Sequence, residues 1–327
     1  MHARRMPWPT EWQALFGRSA PLLLEIGFGG GHFLVHLAQS RPEANVVGVE
    51  ISLPSLRRGE RKLSRAGMTN ALLVQGGATF VLWALCSPAA VRELYINFPD
   101  PWPKERHHTR RLINDTFLQL AATRLAPGAR LDIATDHDGY AEVIADCLER
   151  SPFFCSRLDV PFVTRDGERR PTKYELKALA EGRTCRYFKW QRNETAAPDA
   201  FPVPKELPMP HVVLRTPLTL EEIGRRFTPH HLEDGRAHIQ YLELFQTMHD
   251  RKLLVEAYVK EEPLTQHVGL VIRPRQSGDL VVGLHEIGFP RPTTGIQRAI
   301  AGLARWLLSL HSDSTVADNN LPAGFLT

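Results

Sequence analysis

Short apolar runs alternate with amphipathic segments from residue 22 to about residue 192, the pattern of a sheet flanked by helices. The runs at 22–26, 46–50, 71–74, 93–98 and 130–135 are expected to be strands, being apolar and too short for helices. Between them, helices are expected near 31–39, 53–65, 79–85, 112–125 and 140–149. The helix at 53–65 sets Arg57, Arg58, Arg61, Lys62 and Arg65 against Leu53, Leu56, Leu63 and Gly59. Leu125-Ala126-Pro127-Gly128 should stop a helix and turn the chain, because proline cannot continue the hydrogen-bond ladder and glycine accepts the exit angle. These recurring lengths predict an α/β fold with a doubly wound, Rossmann-like parallel sheet, whose ligands lie beyond the carboxyl ends of the strands.

The pattern changes at a proline-rich boundary, where five of residues 198–210 are proline and the chain is stiff and poor in backbone donors. The expected organisation is a first domain over 1–197, a linker at 198–210 and a smaller α+β domain over 211–327. In that second domain a short helix is expected near 220–227, strands at 253–259, 267–272 and 280–286, and a helix at 296–310. The last dozen residues read as loosely structured, and no internal repeat is found.

Composition narrows the function classes only a little. A chain of 327 residues, 43% of them hydrophobic, is long enough for two cores. A net charge of +4 tolerates a polyanionic partner without demanding one. Cys86, Cys147, Cys155 and Cys185 lack the close pairing of a zinc or redox site, so free thiols and no metal are expected. The first residues lack the apolar stretch of a secretory signal, and no run approaches the roughly 18 to 20 apolar residues that cross a bilayer. A soluble, cytoplasmic protein with no membrane partner is expected.

Candidate chemistry starts at LLLEIGFGGGHF, where Gly27, Gly29, Gly30 and Gly31 follow a strand and precede a helix. Glycine permits a tight turn and close approach of a ligand to the backbone. Nicotinamide, flavin and methyl-transfer enzymes all begin this way. The spacing departs from the dinucleotide G-x-G-x-x-G pattern. Glu25, at the strand end, is placed to meet the ammonium of the methionine part of S-adenosylmethionine. Glu50 ends the next strand, where an acid accepts the two hydroxyl hydrogens of a ribose.

Asn97-Phe98-Pro99-Asp100-Pro101-Trp102 closes the fourth expected strand and holds a carboxylate between two prolines. Such a carboxylate can accept the N1–H and N2–H edge of guanine, leaving N7 free to face a methyl donor. Guanine N7 already carries an in-plane lone pair, so catalysis there can rest on placement rather than on a strong base. Asp100 is therefore the candidate catalytic residue. Downstream, Lys104, Arg106, His107, His108, Arg110 and Arg111 suit backbone phosphates, and Trp102 can cover a base or pack under the loop. Asp136 follows the next strand and can bind a nucleoside or organise Lys104. The run RRPTKYE at 169–175 adds a hydroxyl, a cation and an acid on the same expected face.

LEIGFGGG, GVEIS, NFPDPWPKERHHTRRL, ATD and TKYE occur in that order, and over about residues 22–192 the chain resembles the bacterial tRNA (guanine-N7-)-methyltransferase family. The resemblance implies a class I S-adenosylmethionine-dependent methyltransferase that modifies N7 of guanosine 46 in the variable loop of tRNA, with tRNA rather than DNA as partner. Combined with the residue reading, it puts Glu25, Gly27, Gly29, Gly31, Glu50, Gly77 and Asp100 on the cofactor. Lys104, Arg110, Asp136, Thr172, Lys173, Tyr174 and Glu175 fall on the substrate side. The family commonly has an acid near the adenine where this chain has Gly77; backbone amides or Gln75 would then make that contact. The domain after Pro210 is extra to the usual family plan. Its Arg225, Arg226, Arg251, Lys252, Arg273 and Arg275 permit RNA contact, and stabilisation or association, as monomer or homodimer, are its other roles. Two alternatives stay open: methylation of another tRNA or rRNA position, and a nonenzymatic RNA-binding protein on the same fold.

Overall fold

The computed structural model describes residues 1–167, 169–200, 202–203, 208–249, 251–287 and 290–326, so residues 201 and 204–207 of the proline-rich boundary lie outside it. The chain forms two compact units, Met1–Val203 and Pro204–Thr327.

In the first unit a short helix α1 (Trp12–Phe16) precedes strand β1 (Leu22–Ile26), then come α2 (His32–Ser40), β2 (Asn45–Glu50), α3 (Leu53–Arg65) and β3 (Ala71–Gln75). Helix α4 (Ala78–Phe80) widens into a π turn at Val81–Leu85, followed by β4 (Val91–Asn97), α5 (Asp115–Arg124), β5 (Leu125–Thr135), α6 (Asp138–Arg150), β6 (Phe154–Ser156), α7 (Lys173–Ala180) and β7 (Arg186–Arg192). The sheet order is β3-β2-β1-β4-β5-β7-β6. The first five strands run parallel, while β7 is antiparallel to both β5 and β6. The expected parallel sheet is thus mixed at one edge. Every residue of β1 is buried, as a central strand covered on both faces requires.

Two local expectations shift. Helix α5 begins three residues later than its apolar pattern suggests, because the Asn114 side chain accepts a hydrogen bond from the Phe117 amide at 2.9 Å and caps it. Leu125 does not open a simple turn. It starts β5 opposite Val91, the register shifts before Glu93 meets Arg130, and Gly128 takes up the bulge at φ +77°.

The second unit is one antiparallel sheet of β8 (His211–Arg215), β9 (His230–Asp234), β10 (Ala237–Gln246), β11 (Leu253–Glu261), β12 (Leu264–Pro274), β13 (Leu280–Leu284) and β14 (Thr315–Asn319), in the order β14-β8-β13-β12-β11-β10-β9. Helix α8 (Leu220–Arg226) lies between β8 and β9, and α9 (Thr294–Ser309) lays Ile296, Ile300, Leu303 and Leu307 into a core with Val212, Val255, Ala257, Leu270 and Val282. Glu261 receives the Gly295 amide at 2.8 Å and so holds the start of α9. The final residues are more ordered than their composition suggests: β14 is exposed throughout, yet it pairs with β8. Among the described residues no helix is long and apolar enough to cross a membrane, no group of acids, His and Cys is arranged to hold a metal, and the four cysteines are free.

Candidate active site

The carboxyl edge of the first sheet carries most of the residues singled out above. The turn after β1 takes Gly27, Gly29 and Gly31 through φ of +69°, +50° and +72°, values that a side chain would strain. At Gly31 a Cβ would also come within 3.0 Å of the Gly59 Cα, so this glycine lets the start of α2 pack against α3. The Glu50 carboxylate closes the turn. It accepts from the Gly29 amide at 3.0 Å, the Ile51 amide at 2.8 Å and the Ser52 amide at 3.0 Å, which fixes its direction.

Glu25 is prepared differently. It is 1% exposed, accepts one hydrogen bond from Asn97 Nδ2 at 3.1 Å, and its Oε2 is buried with no hydrogen-bond partner. Burial pushes its carboxyl up to about 8, against the lowering effect of Asn97 and Arg169. A buried carboxylate oxygen without a donor is a site for a cation or an N–H group.

In the loop that follows β4 the backbone is strained at two non-glycine residues, Phe98 at φ +51° and Trp102 at φ +43°. Large side chains in the left-handed region persist only where surrounding structure holds them, and such strain concentrates at functional sites. Here the Phe98 amide donates to the Ala134 carbonyl at 2.8 Å, and its ring lies 5.1 Å from that of Tyr174. Arg110 stacks 5.0 Å from the Trp102 ring, and His107 meets the same ring edge-on at 5.9 Å. The result is a cavity of about 290 Å³ walled by Gly27, Glu50, Gly76, Asn97, Asp100, Trp102 and Arg110, among others. A larger cavity of about 610 Å³ lies between α3, β3 and the first two residues. It holds none of the candidate acids, and Gln75 is among the residues that line it. Gly77 caps α4 with open space where a Cβ would stand, and its neighbours Gly76 and Ala78 line the smaller cavity.

The basic half of the segment divides in two. Lys104, Arg106 and Arg110 are exposed along a 3-10 helix over Glu105–Arg110. Arg111 is buried, donates to the Pro101 carbonyl at 2.8 Å and lies 5.0 Å from the Tyr140 ring. It braces the loop from beneath instead of reaching for phosphate. A second group of cations stands beside the glycine turn: burial, then Lys62, Lys173 and Arg170, hold His32 below its ordinary pKa. Lys62 also donates to the Gly30 carbonyl at 2.6 Å.

On the far flank the polar groups are engaged with the protein itself. Asp136 pairs with Arg183 and does not organise Lys104; Arg183 also reaches Tyr174 Oη at 3.0 Å and Glu181 at 2.7 Å. Thr172 and Glu175 form a reciprocal capping box at the start of α7, the arrangement that T-x-x-E encodes locally. Glu175 is 2% exposed and also accepts from Tyr187 Oη at 2.6 Å. Lys173 and Tyr174 point outward from that same turn. Arg169 has no role of its own in the expectations from sequence, yet its guanidinium touches Asn97 at 2.9 Å and Glu175 at 3.3 Å. Its position beside TKYE was the only signal.

Comparison with known proteins gives this edge a family. Residues 19–187 match the family model described as "Putative methyltransferase". Over 318 residues the chain is 35% identical to a tRNA (guanine-N(7)-)-methyltransferase of Thermus thermophilus, covering 97% of this chain and 98% of that one. A protein of the same name from Deinococcus radiodurans is 34% identical over 88% of this chain and 89% of its own. One from Cutibacterium acnes is 41% identical over 55% of this chain and 66% of its own. The match of 318 residues takes in both compact units, so the second unit is shared with the Thermus relative. The first sheet is that of a class I methyltransferase, and the chain belongs to the tRNA (guanine-N(7)-)-methyltransferase family.

Proposed function

We propose that the protein transfers the methyl group of S-adenosylmethionine to N7 of guanine in tRNA, at guanosine 46 of the variable loop. The observation that carries this reading is the strained Asn97–Trp102 loop, which puts Asp100 on the wall of the same cavity as Gly27 and Glu50. The residues present fit the cofactor. The unpartnered oxygen of Glu25 suits its ammonium, the amide-oriented carboxylate of Glu50 suits its ribose, and the positive-φ glycines let the backbone come close.

When bound, S-adenosylmethionine supplies an electrophilic methyl group on sulfur. The chain's own part is placement. Asp100, stiffened by Pro99 and Pro101, accepts the N1–H and N2–H edge of guanine and so turns N7 toward the cofactor side. No proton has to leave N7 before it reacts, so no side chain need act as a strong base. Trp102 covers one wall, with Arg110 stacked on it, and the exposed cations Lys104, Arg106 and Arg110 meet the surrounding phosphates. Lys173 and Tyr174 contribute from the opposite flank.

Unmodified tRNA transcripts incubated with methyl-labelled cofactor test this reading. Label is expected as 7-methylguanosine at one variable-loop guanosine, and changing that guanosine to adenosine should remove it. Label on an exocyclic amine, on another tRNA position or on ribosomal RNA alone would overturn the assignment.

A further inference from the structure

A continuous polar path runs beneath the candidate site, and the reaction as described above makes no use of its central residue. Arg169 enters from the segment before α7. Its guanidinium lies 5.1 Å from the Phe33 ring and 5.2 Å from the Tyr187 ring, so it is held between two aromatic faces. It donates to Asn97 Oδ1 at 2.9 Å and stands 3.3 Å from Glu175 Oε2. Asn97 in turn donates from Nδ2 to Glu25 Oε1 at 3.1 Å. A guanidinium can only donate, so Arg169 requires Asn97 Oδ1 on its own side and turns Nδ2 toward Glu25. Glu175 meanwhile accepts from Tyr187 Oη and from the Thr172 amide at 3.1 Å. The path therefore links the first turn of α7 to the buried acid at the end of β1.

We infer that Arg169 is a positioning residue: through Asn97 it orients the Glu25 carboxylate for the cofactor's ammonium group, and through Glu175 it ties that acid to the start of α7. The inference rests on the reading of Glu25 as the ammonium site. A purely structural arginine would contribute packing and stability and nothing more. Arg169 does more because its charge faces Glu25. The other groups facing Glu25 are Glu50 from β2, which opposes its ionisation, and the neutral Asn97 from β4, with Gly48 and Tyr95 opposite it in the flanking strands. Burial keeps Glu25 protonated up to about pH 8, and it is the ionised form that attracts an ammonium. Affinity for the cofactor should thus rise with pH as Glu25 loses its proton, and removing Arg169 should move that rise to higher pH.

Calorimetric titration of the full chain with S-adenosylhomocysteine, which keeps the ammonium, tests this between pH 6 and pH 9. The variants are Arg169→Met, Arg169→Lys and Glu25→Gln, and comparison between them cancels the ligand's own ionisation. For Arg169→Met the midpoint of the pH rise should move up by about 1 unit, with affinity near pH 7.5 down about tenfold. Arg169→Lys keeps the charge without the planar fork and should restore most of the midpoint while recovering less of the affinity. The stoichiometry of each titration reports the folded fraction, so a destabilised variant still gives a readable midpoint. If Glu25→Gln weakens binding but Arg169→Met keeps the wild-type midpoint and affinity, the role given to Arg169 is wrong. If Glu25→Gln binds as wild type does, the reading of Glu25 fails first and takes this inference with it.

Discussion

Asp100 and Glu175 are both acids at the carboxyl edge of one sheet, and their surroundings are opposite. Asp100 is exposed on a cavity wall, in a loop whose strain sits at Phe98 and Trp102. Glu175 is buried, and both its oxygens are engaged, by Thr172, Tyr187 and Arg169. The same contrast extends to their neighbours: Lys104 is open to solvent, while Asp136 is closed by Arg183. A motif residue can therefore serve a reaction in two ways, by touching the substrate or by holding the wall that does.

The largest effect expected from this contrast is at Asp100. Asp100→Ala should lower the rate of methyl transfer by about 100-fold or more, the scale on which lost positioning acts, and leave thermal stability near the wild-type value because an exposed side chain is removed. The measurement is single-turnover methylation at saturating tRNA beside a thermal melt. A variant that melts early and methylates normally would place Asp100 with the structural acids and erase the distinction.

Glu175 should answer in the other currency. Glu175→Ala leaves the Thr172 amide, Tyr187 Oη and Arg169 facing a buried gap, a loss of about 3 kcal/mol in unfolding free energy. Urea denaturation should show a lower midpoint with the slope unchanged. Thr172→Ala removes only the cap and should lose about 1 kcal/mol. If Glu175→Ala keeps its midpoint and loses tRNA affinity alone, Glu175 belongs with Asp100 and the comparison fails.

How far these roles were legible in the sequence follows from how local their causes are. The glycine turn, the strand ends at Glu25 and Glu50 and the proline-bounded loop rest on neighbours a few residues apart, and all of them lie at the edge where the pattern put them. The capping box is equally local: Thr172 and Glu175 stand three apart before a helix, the signature of a helix start, and an expectation of nucleotide ligands alone leaves that signature out. Arg169, by contrast, meets Asn97 across 72 positions of chain, and Arg183 meets Asp136 across 47. Pairings at that range follow from topology, which spacing alone does not disclose. In the second unit the alternation Ala237, Ile239, Tyr241 inward against polar neighbours outward marks β10 as a strand, yet His238 and Gln240 between them dilute the apolar run. Strand β14 carries no apolar face at all, being exposed at every residue; only its pairing with β8 defines it.

The smallest effect separates two cations seven residues apart. Lys104 is exposed and Arg111 is buried against Pro101 and Tyr140, though both belong to one basic run. Lys104→Ala should weaken tRNA binding a few-fold at low salt and make the plot of log affinity against log salt shallower by about 0.7 to 0.9, the value of one lost phosphate contact. Arg111→Ala should leave that slope alone and act on the loop, lowering the melting temperature and slowing transfer because the Pro101 carbonyl loses its donor. Binding measured at several salt concentrations for both variants decides the matter. Equal slopes for Lys104→Ala and wild type would remove Lys104 from the phosphate contacts, and a shallower slope for Arg111→Ala would mean that burial does not sort this run into ligands and braces.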